Sequence, residues 1–148
     1  MRRALSIFAL IAVACTRAAP DATPEGVVRL WLERMEASID DPHAAREAYA
    51  LLGPAARANL AERSERASRT QGRRVEPYEM LAEGRFGLKF RPKTMTATLQ
   101  GDSATVRVEG DDATSERALV QCAREGGAWR IEPELPDVAA LPRWRDGG

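Results

Sequence analysis

The spacing of apolar residues in the first part of the chain predicts three consecutive helices. Thr23-Pro24-Glu25 combines a capping hydroxyl, a proline at the first helical position and an acid in the first turn, which together favour a helix start. A second helix is predicted to begin at Asp41-Pro42 by the same logic, and a third covers about 54–70. In the first helix, apolar residues at spacings of three and four define the expected inward face: Val28, Trp31, Leu32, Met35 and Ile39.

From residue 94 onwards the apolar period changes from a helical one to two, which is the period of a strand. The alternation predicts strands over 94–99, 104–109, 117–124 and 128–132, and short turns that contain Gly or Asp separate them. Short connections join antiparallel neighbours, so the strands should form a four-stranded meander. Helices followed by such a sheet predict an α+β fold, with the helices on one face of the sheet and the other face solvated or lining a cavity.

The N-terminus has the layout of a secretory leader. Arg2 and Arg3 precede the apolar run 4–14, in which Ser6 is the one polar residue. A helix of eleven residues rises only about 16 Å, roughly half the thickness of the hydrocarbon core, so this run is too short for an ordinary membrane span. We therefore expect residues 1–14 to be a signal peptide and the protein to be exported.

The cleavage site has two interpretations. Ala12-Val13-Ala14 fits the small-x-small rule of plain secretion. Together with Cys15 the same stretch resembles a bacterial lipobox, in which the Cys becomes residue one and is acylated, although Ala12 stands where Leu is usual. Acyl chains hold a domain at a bilayer because each buried methylene contributes about 0.8 kcal/mol. We favour lipidation of Cys15. A disulfide between Cys15 and Cys122 is the alternative, since these are the two cysteines of the chain.

Length and net charge indicate how many domains the remainder of the chain forms and which partners it can bind. After the leader and a flexible linker over 15–22, residues 23–135 have the size of one domain, and 136–148 read as a proline-containing tail. The net charge is zero, with 22 basic and 22 acidic residues. No overall field recruits nucleic acid, so we expect no nucleic-acid partner.

The helical and strand segments together resemble a known family. The stretches "TPEGVVRLWLERMEA", "DPHAAREAYALLGPAAR" and "GGAWRIEPEL", in that order, are similar to small bacterial lipoproteins of the ketosteroid isomerase/nuclear transport factor 2-like superfamily. This resemblance covers about residues 23–135 and implies a curved sheet that wraps around a helix to make a cone. Such cones host isomerases, ligand carriers and non-catalytic modules, so the resemblance does not select a function.

Few residues suggest chemistry. His43, the one histidine, could be a general base tuned by nearby Asp40 and Asp41, but a helix-start position favours a solvated surface residue. The arginine run 63–74 could meet anionic head groups or could form ion pairs along a solvated helix. No metal, cofactor or phosphate motif is present, and we expect none. Four aromatic residues could line a pocket or fill the core: Trp31, Tyr49, Tyr78 and Trp129.

These observations favour a lipid-anchored protein of the bacterial cell envelope, on the periplasmic side, whose domain binds or supports without catalysing. Its partners would be the membrane, through the anchor, and an envelope protein or a small ligand. Thr16 is not the acidic residue that commonly retains lipoproteins at the inner membrane, which favours the outer membrane. The alternative is a lyase, an isomerase or a ligand carrier that uses the cone cavity.

Overall fold

The computed structural model of the 148-residue chain describes residues 18–81 and 88–138, which form helices first and then a sheet. The helices are α1 (Pro24–Ala37), α2 (Pro42–Ala50) and α3 (Pro54–Gln71), and short 3-10 helices cover Pro20–Ala22 and Pro77–Leu81. The strands are β1 (Thr94–Gln100), β2 (Ser103–Glu109), β3 (Arg117–Glu125) and β4 (Ala128–Ile131). The predicted α+β class is confirmed. The predicted leader and Cys15 lie outside the described residues.

The predicted capping residues begin the first two helices. The Thr23 hydroxyl accepts a hydrogen bond from the backbone N–H of Gly26 at 3.1 Å, and the Asp41 carboxylate accepts one from the N–H of His43 at 2.8 Å. Each of these bonds satisfies a backbone donor that a helix start leaves without an intrahelical partner. Proline occupies the first position of all three helices, where its missing N–H costs nothing.

The sheet is an open antiparallel meander in the order β1-β2-β3-β4. Val106 at its centre lies opposite Ala97 on one side and Val120 on the other, and Cys122 lies opposite Ile131. Gly126 and Gly127 join β3 to β4 with φ angles of 59° and 87°. A tight hairpin whose two central residues both have positive φ favours glycine, because a Cβ would strain the turn.

The two faces of the sheet differ in polarity, as the alternation predicts. On the inner face, β2 and β4 are buried against the helices, whereas Thr96, Thr105 and Gln121 on the outer face are solvated or partly so. The Thr105 hydroxyl donates to the Gln121 amide oxygen across this outer face at 2.9 Å. The largest fully buried side chains come from helices, strands, a 3-10 helix and the connection between α2 and α3: Leu52, Leu60, Leu81, Ile131, Val27, Val28, Val106 and Val108.

Both edges of the sheet contact the helical layer. At the β4 edge, the N–H of Ile131 donates to the Leu51 carbonyl at 2.9 Å, and the N–H of Gly53 donates to the Ile131 carbonyl at 2.8 Å. At the β1 edge, the Glu25 carboxylate of α1 accepts from the N–H of Ala97 at 2.9 Å. Edge backbone groups need such partners when they are not solvated. The connection after α2 and the first turn of α1 thereby fix the sheet beneath the helices.

Contacts extend beyond the predicted domain limits of 23 and 135. Asp21, within the stretch predicted as linker, forms a half-buried ion pair with Arg130 at 2.7 Å. At the other end, Val138 is buried, and its carbonyl accepts a hydrogen bond from Arg66 of α3 at 2.7 Å. The described residues 20–81 and 88–138 thus belong to one folded unit. Within the described ranges no helix is long and apolar enough to cross a membrane.

Candidate functional site

A cleft of about 1060 Å³ opens beside the C-terminal half of α1. Leu32, Met35 and Ile39 supply its apolar wall on this side, together with Glu36 and Ser38. The prediction that Ile39 belongs to the inward face of α1 is wrong, because its side chain is 81% exposed. The helix ends at Ala37, and the Ser38 hydroxyl donates to the Met35 carbonyl at 2.7 Å. The chain therefore leaves the helical path before Ile39, which extends the apolar wall of the cleft past the helix end.

The opposite wall is the segment 88–92, which leads into β1, with Leu81 at the end of a 3-10 helix. Leu88 and Phe90 are half-buried and pack against the core, whereas Lys89 and Arg91 between and after them are exposed. This alternation places apolar side chains inside and cations outside. None of the described residues that line the cleft belongs to a strand of the sheet.

The charged groups at the cleft are two cations and one acid. Lys89 and Arg91 stand on one wall and Glu36 on the other. In the described ranges none of these three side chains takes part in an ion pair, whereas neighbouring Lys93 is paired with Asp111. Unpaired cations beside an apolar wall can bind an anionic group without first breaking an existing pair.

The two predicted pocket tryptophans lie in the core. Trp31 of α1 is 4% exposed and Trp129 of β4 is 2% exposed, and both belong to the cluster that joins the helices to the sheet. The Arg124 guanidinium lies over the Trp129 ring at 5.1 Å from its centroid, a distance typical of a cation–π contact. Neither residue contributes to the cleft. A ligand-binding role for either stays a prediction.

The two predicted pocket tyrosines do not line the cleft. Tyr49 belongs to α2, and Tyr78 belongs to the 3-10 helix that contacts α2. The Tyr49 hydroxyl donates to the Arg57 carbonyl at 3.2 Å, and burial raises the pKa of Tyr49 while the Arg57 charge lowers it by less. Tyr78 accepts a hydrogen bond from Arg46 at 3.0 Å, and the same guanidinium lies 4.8 Å from the centre of its ring. These contacts join α2 to the segments around it. Trp31 and Trp129 belong to the core cluster and Tyr49 packs against it, whereas Tyr78 is not part of it.

His43 lies at the surface, as expected of a helix start. Its side chain is exposed, with Nδ1 at 3.5 Å from a carboxylate oxygen of Glu47 on the same helix. Among the described residues no group of three or more His, Cys, Asp or Glu side chains could hold a metal ion. His43 is not among the residues that line the cleft, and its titratable neighbour Glu47 pairs with Arg34.

Arginines of the run 63–74 donate hydrogen bonds to other segments of the chain. Arg63 and Arg66 of α3 donate to the carbonyls of Pro136 and Val138 at 2.7 Å each, and Arg66 also pairs with Glu62. Further along, Arg73 donates to Glu79 at 2.9 Å, and this contact lowers the pKa of Glu79. The i,i+4 spacing of Glu62 and Arg66 in the sequence indicates the local pair, but the contacts to residues more than seventy positions away carry no local signal.

Cys122 is a free, buried thiol in the described part of the chain. Burial, and to a lesser extent the nearby Glu25 carboxylate, raises its pKa from 9.0 to about 12. Both effects disfavour the thiolate, which is the reactive form of cysteine. Cys122 therefore behaves as a small core residue, and the alternative of a disulfide with Cys15 stays a prediction, since Cys15 lies outside the described residues.

The cleft was missed by sequence reasoning because the residues that line it come from two segments about fifty positions apart. The one available signal was the alternation of Leu88, Lys89, Phe90 and Arg91 outside any predicted strand. The chemistry of the cleft has to be interpreted from its own residues, since no family model, no curated protein and no solved structure matches this chain.

Proposed function

We propose that this protein is exported, anchored by lipid at Cys15 to the periplasmic side of the bacterial envelope, and acts by binding a partly apolar ligand in the cleft between α1 and 88–92. The leader over 1–14 and the small residues before Cys15 support the export and the anchor. We also propose a nuclear transport factor 2-like cone as the fold, on the strength of the order of helices followed by a meander.

The apolar lining of the cleft carries the binding proposal. Small-molecule sites are typically concave, mostly apolar and a few hundred to about a thousand Å³ in volume, with a small number of polar groups. The cleft has a volume of about 1060 Å³, and seven of its eleven described lining residues are apolar. A ligand that removes the exposed surface of Ile39 from water lowers the free energy of the complex, which favours binding. The cleft is thus suited to hold an apolar group that water would otherwise surround.

A matched pair of charge substitutions tests this proposal. Ile39→Glu places a charge in the cleft wall, whereas Leu119→Glu changes an apolar residue on the outer face of β3 that is 63% exposed. We expect Ile39→Glu to weaken binding of the apolar dye N-phenylnaphthylamine by about tenfold, which corresponds to losing roughly 1.4 kcal/mol of apolar contact. Leu119→Glu should leave the affinity unchanged. The readout is the fluorescence increase on dye titration.

Both substituted side chains are exposed, so both variants should fold, and their circular dichroism spectra provide the check. Equal affinities in the wild-type protein, Ile39→Glu and Leu119→Glu would contradict a binding site in this cleft. A dye that binds elsewhere on the domain would also give three equal affinities, and this outcome would likewise contradict the proposal.

A further inference from the structure

We infer that the ligand of the cleft is a single-chain anionic amphiphile, in which an acyl chain contacts the apolar walls and the head group contacts Lys89 and Arg91. This inference rests on the proposed function, because it names the class of ligand for the same cleft. The ligand chemistry is a hydrocarbon chain attached to one carboxylate or phosphate, and the experiment below separates these two head groups.

The arrangement of the segment 88–91 supports an amphiphile. Leu88 and Phe90 are half-buried and pack against the core, whereas Lys89 and Arg91 are exposed. Along one short segment, apolar groups therefore lie at the inner part of the cleft and positive charges at its mouth. A ligand with one apolar end and one charged end matches this order. A wholly apolar ligand would leave both exposed cations in water and would form no charge-assisted hydrogen bond with them.

The sign of the charge follows from the unpaired groups. Lys89 and Arg91 face a cleft whose other charged lining residue is Glu36, so the described lining has one excess positive charge. Neither cation has an ion-pair partner among the described residues, whereas Lys93 close by is paired with Asp111. A planar guanidinium and an ammonium together suit carboxylate and phosphate oxygens, because charge-assisted hydrogen bonds are stronger than neutral ones.

The extent of the cleft favours a small molecule over a protein partner. Eleven described residues line it, whereas a stable protein–protein interface takes about 20 to 30 residues from each side. The apolar wall on the α1 side runs from Leu32 to Met35 within the helix, about 5 Å at the helical rise per residue, and continues to Ile39 beyond the helix end. A wall of this length can cover part of one acyl chain. The exposed mouth leaves the head group in contact with water and with the two cations.

The test compares lauroyl amphiphiles that share a chain and differ in the head group, each below its critical micelle concentration. Laurate carries a carboxylate, lauroyl lysophosphatidate carries a phosphate, and monolaurin is neutral. Affinities are measured by displacement of N-phenylnaphthylamine from the wild-type protein and from the double variant Lys89→Ala/Arg91→Ala. The double variant Arg107→Ala/Arg117→Ala removes the same net charge from β2 and β3 outside the cleft and is the matched control.

We expect Lys89→Ala/Arg91→Ala to lower the affinity for laurate or lysophosphatidate by about tenfold and to leave the affinity for monolaurin unchanged. The control variant should bind all three amphiphiles with the affinity of the wild type. The anionic amphiphile with the larger loss identifies the head group. A different result would overturn this inference and keep the proposed function: monolaurin and both anionic amphiphiles bind equally, Lys89→Ala/Arg91→Ala does not change their affinities, and Ile39→Glu lowers all of them. Binding that no cleft variant alters, or no binding at all, would overturn both.

Discussion

Native Cys122 should react with iodoacetamide about a thousandfold more slowly than an unperturbed cysteine at mildly alkaline pH, because its thiolate is correspondingly scarce. The pKa of this thiol is raised from 9.0 to about 12, chiefly by burial and secondarily by the Glu25 carboxylate. The side chain is also only 3% exposed, so the reagent has little access to the sulfur. Alkylation at Cys122 is followed by peptide mass spectrometry in a Cys15→Ser background, which removes the other thiol.

Unfolding supplies the control for this experiment. In concentrated guanidinium chloride the thiol should regain an ordinary pKa and react at the rate of a free cysteine. Glu25→Gln should speed the native reaction only slightly, since burial is the larger cause of the shift. Rapid labelling of the folded protein would contradict the placement of Cys122 beneath the helices.

Replacing Trp129 by Ala should destabilise the domain by about 3–5 kcal/mol, a large part of the total stability of an ordinary domain. Trp129 lies in the cluster that joins α1 to the sheet and is 2% exposed. Truncation removes its buried apolar surface and leaves a cavity that the neighbouring strands cannot fully close. The free energy of unfolding is measured by denaturant titration followed by circular dichroism.

Two further variants are controls for this predicted loss of stability. Trp129→Phe keeps an aromatic ring in the core and should cost less than Trp129→Ala. Leu119→Ala changes an exposed residue on the outer face of the same sheet and should alter stability by less than about 0.5 kcal/mol. If Trp129→Ala were as mild as Leu119→Ala, the inner face of β4 would not be covered by the helices as described.

Local chemistry made much of the fold predictable. The caps at Thr23 and Asp41 depend on side chains within three residues of the groups they bind, so the sequence alone indicates them. The strands were predictable for a similar reason, since one buried face imposes a period of two on β2. Each of these signals is contained in a short window of the chain.

The cleft depends on information that no short window contains. Ile39 continues the apolar spacing of α1, but the helix ends two residues earlier, and no described element covers the side chain. Arg66 has the i,i+4 spacing of a solvated ion pair with Glu62, although Arg63 and Arg66 also donate to the carbonyls of Pro136 and Val138. Periodicity predicts which residues share a face. It does not predict which distant segment, if any, will contact that face.

The mass of the mature N-terminus tests the central claim, that this domain works while anchored to the envelope, most directly. The protein is purified from the membranes of its native host and its N-terminal peptide is analysed by mass spectrometry. We expect a chain that begins at Cys15 and carries fatty acyl groups on that residue. A chain that retains Met1 and has a free thiol at Cys15 would contradict both the export and the anchor.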